Sequence, residues 1–234
     1  MDSDTEIPTV DLPGGDEMPV VGFGTGGLDG EALDDAVSHA LDAGYTRFDT
    51  AEGYGNEAAL GDAVAGADRD SLFVTSKVLP KNLDYESVIA ACERSLDRLG
   101  TDYLDLYLVH WPNPAVSLRE TMAAMATLRE RGLVRAVGLS NASAYQLSCA
   151  QHVSDVPVAV NQIEFHPWRQ QPDVVEYCAE NGVVVDAAAP LARTRVFETD
   201  AVQDLAAKHG RSPGQIVLKW AVERDATVIP KSTA

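Results

Sequence analysis

Apolar residues in this chain fall into short, nearly unbroken runs, and amphipathic stretches separate them from one end to the other. The runs at 20–24, 46–49, 72–77, 104–109, 134–139, 158–162, 183–187 and 227–230 predict eight strands. Continuous apolar character, rather than strict alternation, fits parallel strands buried on both faces. Between them the period changes to that of a helix. Leu33, Val37, Ala40 and Leu41 make one stripe, Val88, Ala91, Cys92, Leu96 and Leu99 a second, and Met122, Met125 and Leu128 a third. Further helices are expected at 145–153, 172–181, 200–209 and 213–224. Gly44, Gly132, Gly182 and Gly210 stand where a left-handed residue would end a helix. Ahead of the first run, TVDLPGGDEMPVV reads as a hairpin turning at Gly14-Gly15, placed over the N-terminal end of the sheet.

Strand and helix alternate without a break in composition, which points to one α/β domain over residues 1–234. Eight alternations suit a closed (β/α)8 TIM barrel better than an open doubly wound sheet. VVGFGTGG holds glycines, but a dinucleotide-binding GxGxxG must open directly into a helix, and here the helix starts too late. The run at 227–230 ends four residues before Ala234. The expectation is therefore a barrel without its last helix and C-terminal tail.

Composition changes the picture through charge. Of 234 residues, 36 are Asp or Glu and 18 are Lys or Arg, for a net charge of −18. Such a surface repels nucleic acid and anionic membranes. It also repels itself, and salt relieves this, because the Debye length falls to about 3 Å at 1 M. A halophilic protein, adapted to a salt-rich cytoplasm, is the expected habitat. No apolar run reaches the ~18 residues of a membrane span. MDSDTEIPTV has neither the basic start nor the apolar core of a signal peptide. A cytoplasmic location follows as an expectation. Cys92, Cys149 and Cys178 form no CxxC pair and fall on expected helices, so buried free thiols are expected, with no metal site.

Barrel strands deliver functional side chains at their C-terminal ends. The residues closing these runs are Asp49, Lys77, His110, Ser140 with Asn141, Gln162 and Lys231. Each alone has an ordinary reading; Asn141, for instance, could cap the helix after it. Together they would line one mouth. Tyr54 joins them, five residues after Asp49. A phenol titrates near pH 10 in water, a neighbouring ammonium favours its ionised form, and a carboxylate holds that ammonium in place. Asp49, Tyr54 and Lys77 read as a tuned proton donor, and His110 as a donor that orients a carbonyl oxygen. Lys77 as a Schiff-base nucleophile would leave the Asp49–Tyr54 spacing without a role.

At this point the chain resembles the aldo-keto reductases. The motifs run in order: GFGT at 22–25, DTAEGYGNE at 49–57, SK at 76–77, LVHWP at 108–112, VGLSN at 137–141, NQIEFHP at 161–167, APL at 189–191 and IPKS at 229–232. The resemblance implies reduction of aldehydes or ketones by hydride transfer from NADPH; the alternative is a truncated relative that keeps a nucleotide site with little or no turnover. Asp49, Tyr54, Lys77 and His110 would be the catalytic four, with Tyr54 as the acid. It implies cofactor contacts from Gly24, Thr25, Ser140, Asn141, Gln162 and Leu191, with Lys231 and Ser232 on the adenosine 2′-phosphate. His110 would border the small-molecule carbonyl substrate, and Trp111 and Trp168 would either wall that pocket or pack at the rim of their loops; His166 reads as structural and Trp220 as helix core. The oligomeric state is left open. The chain departs from the family pattern at AAAPL, where Ala188 stands at the position of an aromatic residue that stacks on the nicotinamide. The segment that follows IPKS in the family is also missing from the sequence.

Overall fold

The computed structural model describes residues 7–193 and 195–232. A hairpin of β1 (Thr9–Asp11) and β2 (Glu17–Pro19) leads into eight parallel strands. These are β3 (Phe23–Gly24), β4 (Arg47–Asp49), β5 (Phe73–Val78), β6 (Leu104–Val109), β7 (Val134–Ser140), β8 (Val158–Glu164), β9 (Val184–Ala188) and β10 (Thr227–Val228). Each pairs with the next in chain order. The ring is joined by Gly22 N–H donating to Val228 O (2.8 Å), Gly24 N–H to Pro230 O (2.9 Å) and Val228 N–H to Val20 O (2.8 Å). The fold is a (β/α)8 barrel, as the alternation implied.

Helices α1 (Gly30–Asp42), α2 (Glu57–Val64), α3 (Tyr85–Leu99), α4 (Leu118–Glu130), α5 (Ala144–Val153), α6 (Pro172–Glu180), α7 (Asp200–His209) and α8 (Pro213–Val222) surround it. Their apolar stripes meet the outer faces of the strands: Leu33 and Val37 of α1, Val88 and Cys92 of α3, and Met122 and Met125 of α4 are buried in one core. The barrel interior is a separate core. There Leu12 and Met18 of the hairpin pack with Phe73, Leu106, Leu108, Ala136, Ala159 and Val160. The hairpin thus plugs the N-terminal end, and the polar strand exits are left at the other end.

Several local expectations change. Strand β3 is shorter than the run at 20–24, because only Val21 bridges to Val228 before it. Helix α2 lies in a stretch where no helix was expected. Its Gly61 packs against the end of α3, where an added Cβ would sit 2.5 Å from Leu99 O. Asn141 does not cap α5. Ser143 does, in a reciprocal capping box with Gln146, while Asn141 takes a left-handed backbone, φ 60°. Cys92 and Cys178 are buried, but Cys149 is only half-buried. Trp220 is likewise half-buried, its ring tilted against Phe165 (centroids 5.1 Å) and covered by the Arg224 guanidinium (4.2 Å), so it lies at the edge of the core. No helix among the described residues is long and apolar enough to cross a membrane.

Candidate active site

Asp49 closes β4, and the chain then makes a short 3₁₀ turn, Glu52–Tyr54. Two side chains fix this turn. Asn56 accepts from Thr50 Oγ1 (2.7 Å) and donates to Thr25 O (3.0 Å) and Leu28 O (2.8 Å). Glu52 accepts from Leu79 N–H (3.0 Å) and Asn82 Nδ2 (2.8 Å). Tyr54 is thereby held against the loops that follow β3 and β5. Gly26 leaves room for its ring, since a Cβ there would lie 3.3 Å from Tyr54 Cζ.

Lys77 comes from the C-terminal part of β5 and is fully buried. Its Nζ donates to Asp49 Oδ1 (2.5 Å), Thr50 O (2.9 Å) and the Tyr54 hydroxyl (3.4 Å). Burial works against the ammonium. The attraction of Asp49 and Tyr54 and the hydrogen bonds to both outweigh it, so the Lys77 pKa is held above its ordinary value. With its nitrogen donating to three oxygens, Lys77 is arranged as an ammonium and not as a free amine nucleophile, which counts against the Schiff-base reading. Burial raises the Asp49 pKa; the charge of Lys77 opposes this, and Asp186 adds to it.

His110 follows β6, its ring 5.6 Å from that of Tyr54 and nearly perpendicular to it. Burial, and then the Lys77 charge, lower its pKa to about 4, so the imidazole is neutral near pH 7. Its Nδ1 is buried without a partner. A buried polar atom without a partner is unusual in a folded core.

Beside this cluster lies a cavity of 570 Å³ that Gly24, Asp49, Tyr54, Gln162 and Lys231 help to line. Ala188, Ala189, Pro190 and Leu191 form an apolar wall, with Arg193 beside them. Lys231 Nζ donates to Gly26 O (2.9 Å). Of the remaining expected cofactor residues, Thr25 is buried behind the cavity and donates to Asp49 O (3.0 Å). Ser140 Oγ donates to Gln162 O (2.9 Å), and Asn141 Nδ2 to His110 O (3.0 Å). Ser232 lines an adjoining groove between α1 and α8. Neither tryptophan expected at the substrate lines the cavity. Trp111 is 54% exposed, and Trp168 packs with Val196, Val202 and Val217.

The Aldo/keto reductase family model matches residues 20–234. This chain belongs to that family. An aldo-keto reductase of Mycobacterium avium is 40% identical over 234 residues, which span 99% of this chain and 82% of that protein. Among solved structures, an aldo/keto reductase from Brucella melitensis is 38% identical with a TM-score of 0.92, covering 97% of this chain and 89% of its own. A Bombyx mori aldo-keto reductase solved in complex with NADP is 33% identical with a TM-score of 0.91, covering 99% and 85%. The chain is an oxidoreductase of this family.

Four residues of the site escaped the sequence reading. Asn56 and Glu52 had a visible signal, as polar positions inside the DTAEGYGNE motif around Tyr54. Arg47 and Asp186 had a different one. Each is a charge inside an apolar strand, and such charges are rarely buried without a partner.

Proposed function

We propose that this protein reduces aldehydes or ketones to alcohols with NADPH, and that Tyr54 supplies the proton. The observation that carries this reading is the line from buried Asp49 and Lys77 to a half-buried Tyr54, which faces the cavity and packs its ring edge against a neutral His110. The cavity suits a nicotinamide nucleotide. One wall is flat and apolar at Ala188–Pro190, and Arg193 and Lys231 bring positive charge to its lining. When bound, the coenzyme supplies the hydride that reaches the carbonyl carbon.

The chain's own groups do the rest. His110, as a neutral imidazole, offers one N–H donor to orient the carbonyl oxygen. Tyr54 gives its hydroxyl proton to that oxygen as negative charge develops, and the Lys77 ammonium stabilises the phenolate left behind. Asp49 keeps the ammonium aimed. Gln162 has both amide hydrogens committed to carboxylates, so its carbonyl oxygen remains to accept from the carboxamide. Ser140 and Asn141, tied to Gln162 O and His110 O, would hold the same carboxamide. Gly24, Thr25 and Leu191 would shape its slot, and Lys231 and Ser232 would meet the 2′-phosphate. We place the protein in a salt-rich cytoplasm on its charge.

Fluorescence titration with NADPH, run beside oxidation of NADPH with methylglyoxal as the probe carbonyl in molar KCl, tests the reading. Binding together with carbonyl-dependent oxidation is expected. Binding without oxidation at any pH overturns it.

A further inference from the structure

A second buried ion pair lies directly behind the proposed proton donor, and neither partner touches the cavity. Arg47 Nη2 donates to Asp186 Oδ2 at 2.6 Å, and both side chains are wholly excluded from solvent. The guanidinium is further held by Pro19 O (3.2 Å) and lies over the Phe73 ring (5.8 Å). Its stem presses on Gly22, where a Cβ would come within 2.8 Å. Asp186 Oδ1 accepts from Thr227 Oγ1 (2.7 Å). The same oxygen of Asp186 that meets Arg47 also accepts from Gln162 Nε2 (2.8 Å). That nitrogen gives its other hydrogen to Asp49 Oδ2 (2.8 Å).

We infer that Arg47 and Asp186 are positioning residues for the reduction: through Gln162 they orient Asp49 and set the charge balance under which Lys77 holds its proton. The inference rests on the reductase reading for its meaning and on the bonds above for its substance. The line reads ammonium, carboxylate, amide, carboxylate, guanidinium, and its charges cancel. In a low-dielectric interior the loss of one end is felt at the other, because few dipoles reorient to screen it. Asp186 is one of the charges acting on Asp49. The other charged or titratable groups around Lys77 are Tyr54 on the turn after β4 and His110 after β6. Glu57 of α2 holds the neighbouring Ser76 hydroxyl at 2.6 Å and is itself paired with Arg98 (3.0 Å). None of these neutralises Asp186; Arg47 does.

The test reads Lys77 directly. The chain has five lysines, Lys77, Lys81, Lys208, Lys219 and Lys231. Their ¹⁵Nζ signals can be followed by NMR through a pH titration of ¹⁵N-lysine-labelled protein, with Lys77 assigned by its loss in Lys77→Met. Asp186→Asn removes a negative charge while keeping an isosteric acceptor for Arg47 and Gln162, and it should lower the Lys77 midpoint by roughly 0.5–1 pH unit. Arg47→Met leaves Asp186 uncompensated and should raise it. The double variant should return it to the wild-type value, and the alkaline limb of the turnover profile should follow the same order. An Asp186→Asn midpoint equal to wild type, or above it, overturns the inference even if Arg47→Met does not fold. The titration needs no turnover, so an inactive wild type would sink the reductase reading and leave this result standing.

Discussion

Lys77 Nζ lies 2.5 Å from Asp49 Oδ1 and 3.4 Å from the Tyr54 hydroxyl, so one buried ammonium joins a carboxylate to the group proposed to give up a proton. The contact crosses from β5 to the turn after β4, and the parallel register of the two strands places it. Thr75 pairs with Asp49, which puts Lys77 two residues further toward the mouth and on the same face.

Tyr54→Phe removes the hydroxyl and keeps the ring against Gly26. Turnover should fall by about 10²–10⁴, the range a positioned general acid supplies. NADPH affinity by fluorescence titration should stay within a few-fold of wild type. Undiminished turnover would reject Tyr54 as the acid.

Ala188→Tyr should restore an aromatic face to the apolar wall of the cavity. An aromatic contact is worth roughly 0.5–1.5 kcal/mol, so NADPH should bind about 2–12-fold more tightly. Weaker binding would show that the nicotinamide does not lie against this wall.

His110 predicts a pH effect on stability with a definite sign. Its folded pKa is depressed to about 4 from 6.5. The unfolded chain therefore binds the proton first, and the stability that neutral His110 contributes is present above pH 6.5 and is lost as pH falls toward 4. His110→Gln cannot titrate. Its melting temperature, followed from pH 7 to pH 4, should fall less than that of wild type; equal slopes would contradict the depressed pKa.

Gly61→Ala separates packing from helix propensity. In an exposed helix the change stabilises by about 1 kcal/mol. Here the new methyl would meet the backbone of Leu99, and overpacking costs about 1–3 kcal/mol. Urea denaturation should show a net loss of stability. A gain would mean that α2 and α3 can separate freely.

A net charge of −18 predicts a melting temperature that climbs between about 0.1 M and molar KCl, as screening relieves repulsion among the acidic residues. A melting temperature indifferent to salt would remove the halophilic reading.

Much of this was already present in the order of residues. Apolar runs of strand length alternating with helical stripes determine a parallel barrel, because only strands buried on both faces tolerate such runs. Once the barrel is known, Asp49, Lys77, His110 and Gln162 must gather at one end, since strand exits share a face. Tyr54 could be named from its motif.

Tertiary structure alone decided who pays for the buried charges. Arg47 and Asp186 are 139 positions apart, and no local pattern joins them; strand order and register bring them within bonding reach through the barrel interior. The same closure committed both hydrogens of Gln162 to carboxylates. Local periodicity reports which face of an element is buried, whereas the pairing of isolated polar atoms depends on distances between elements that sequence spacing does not contain.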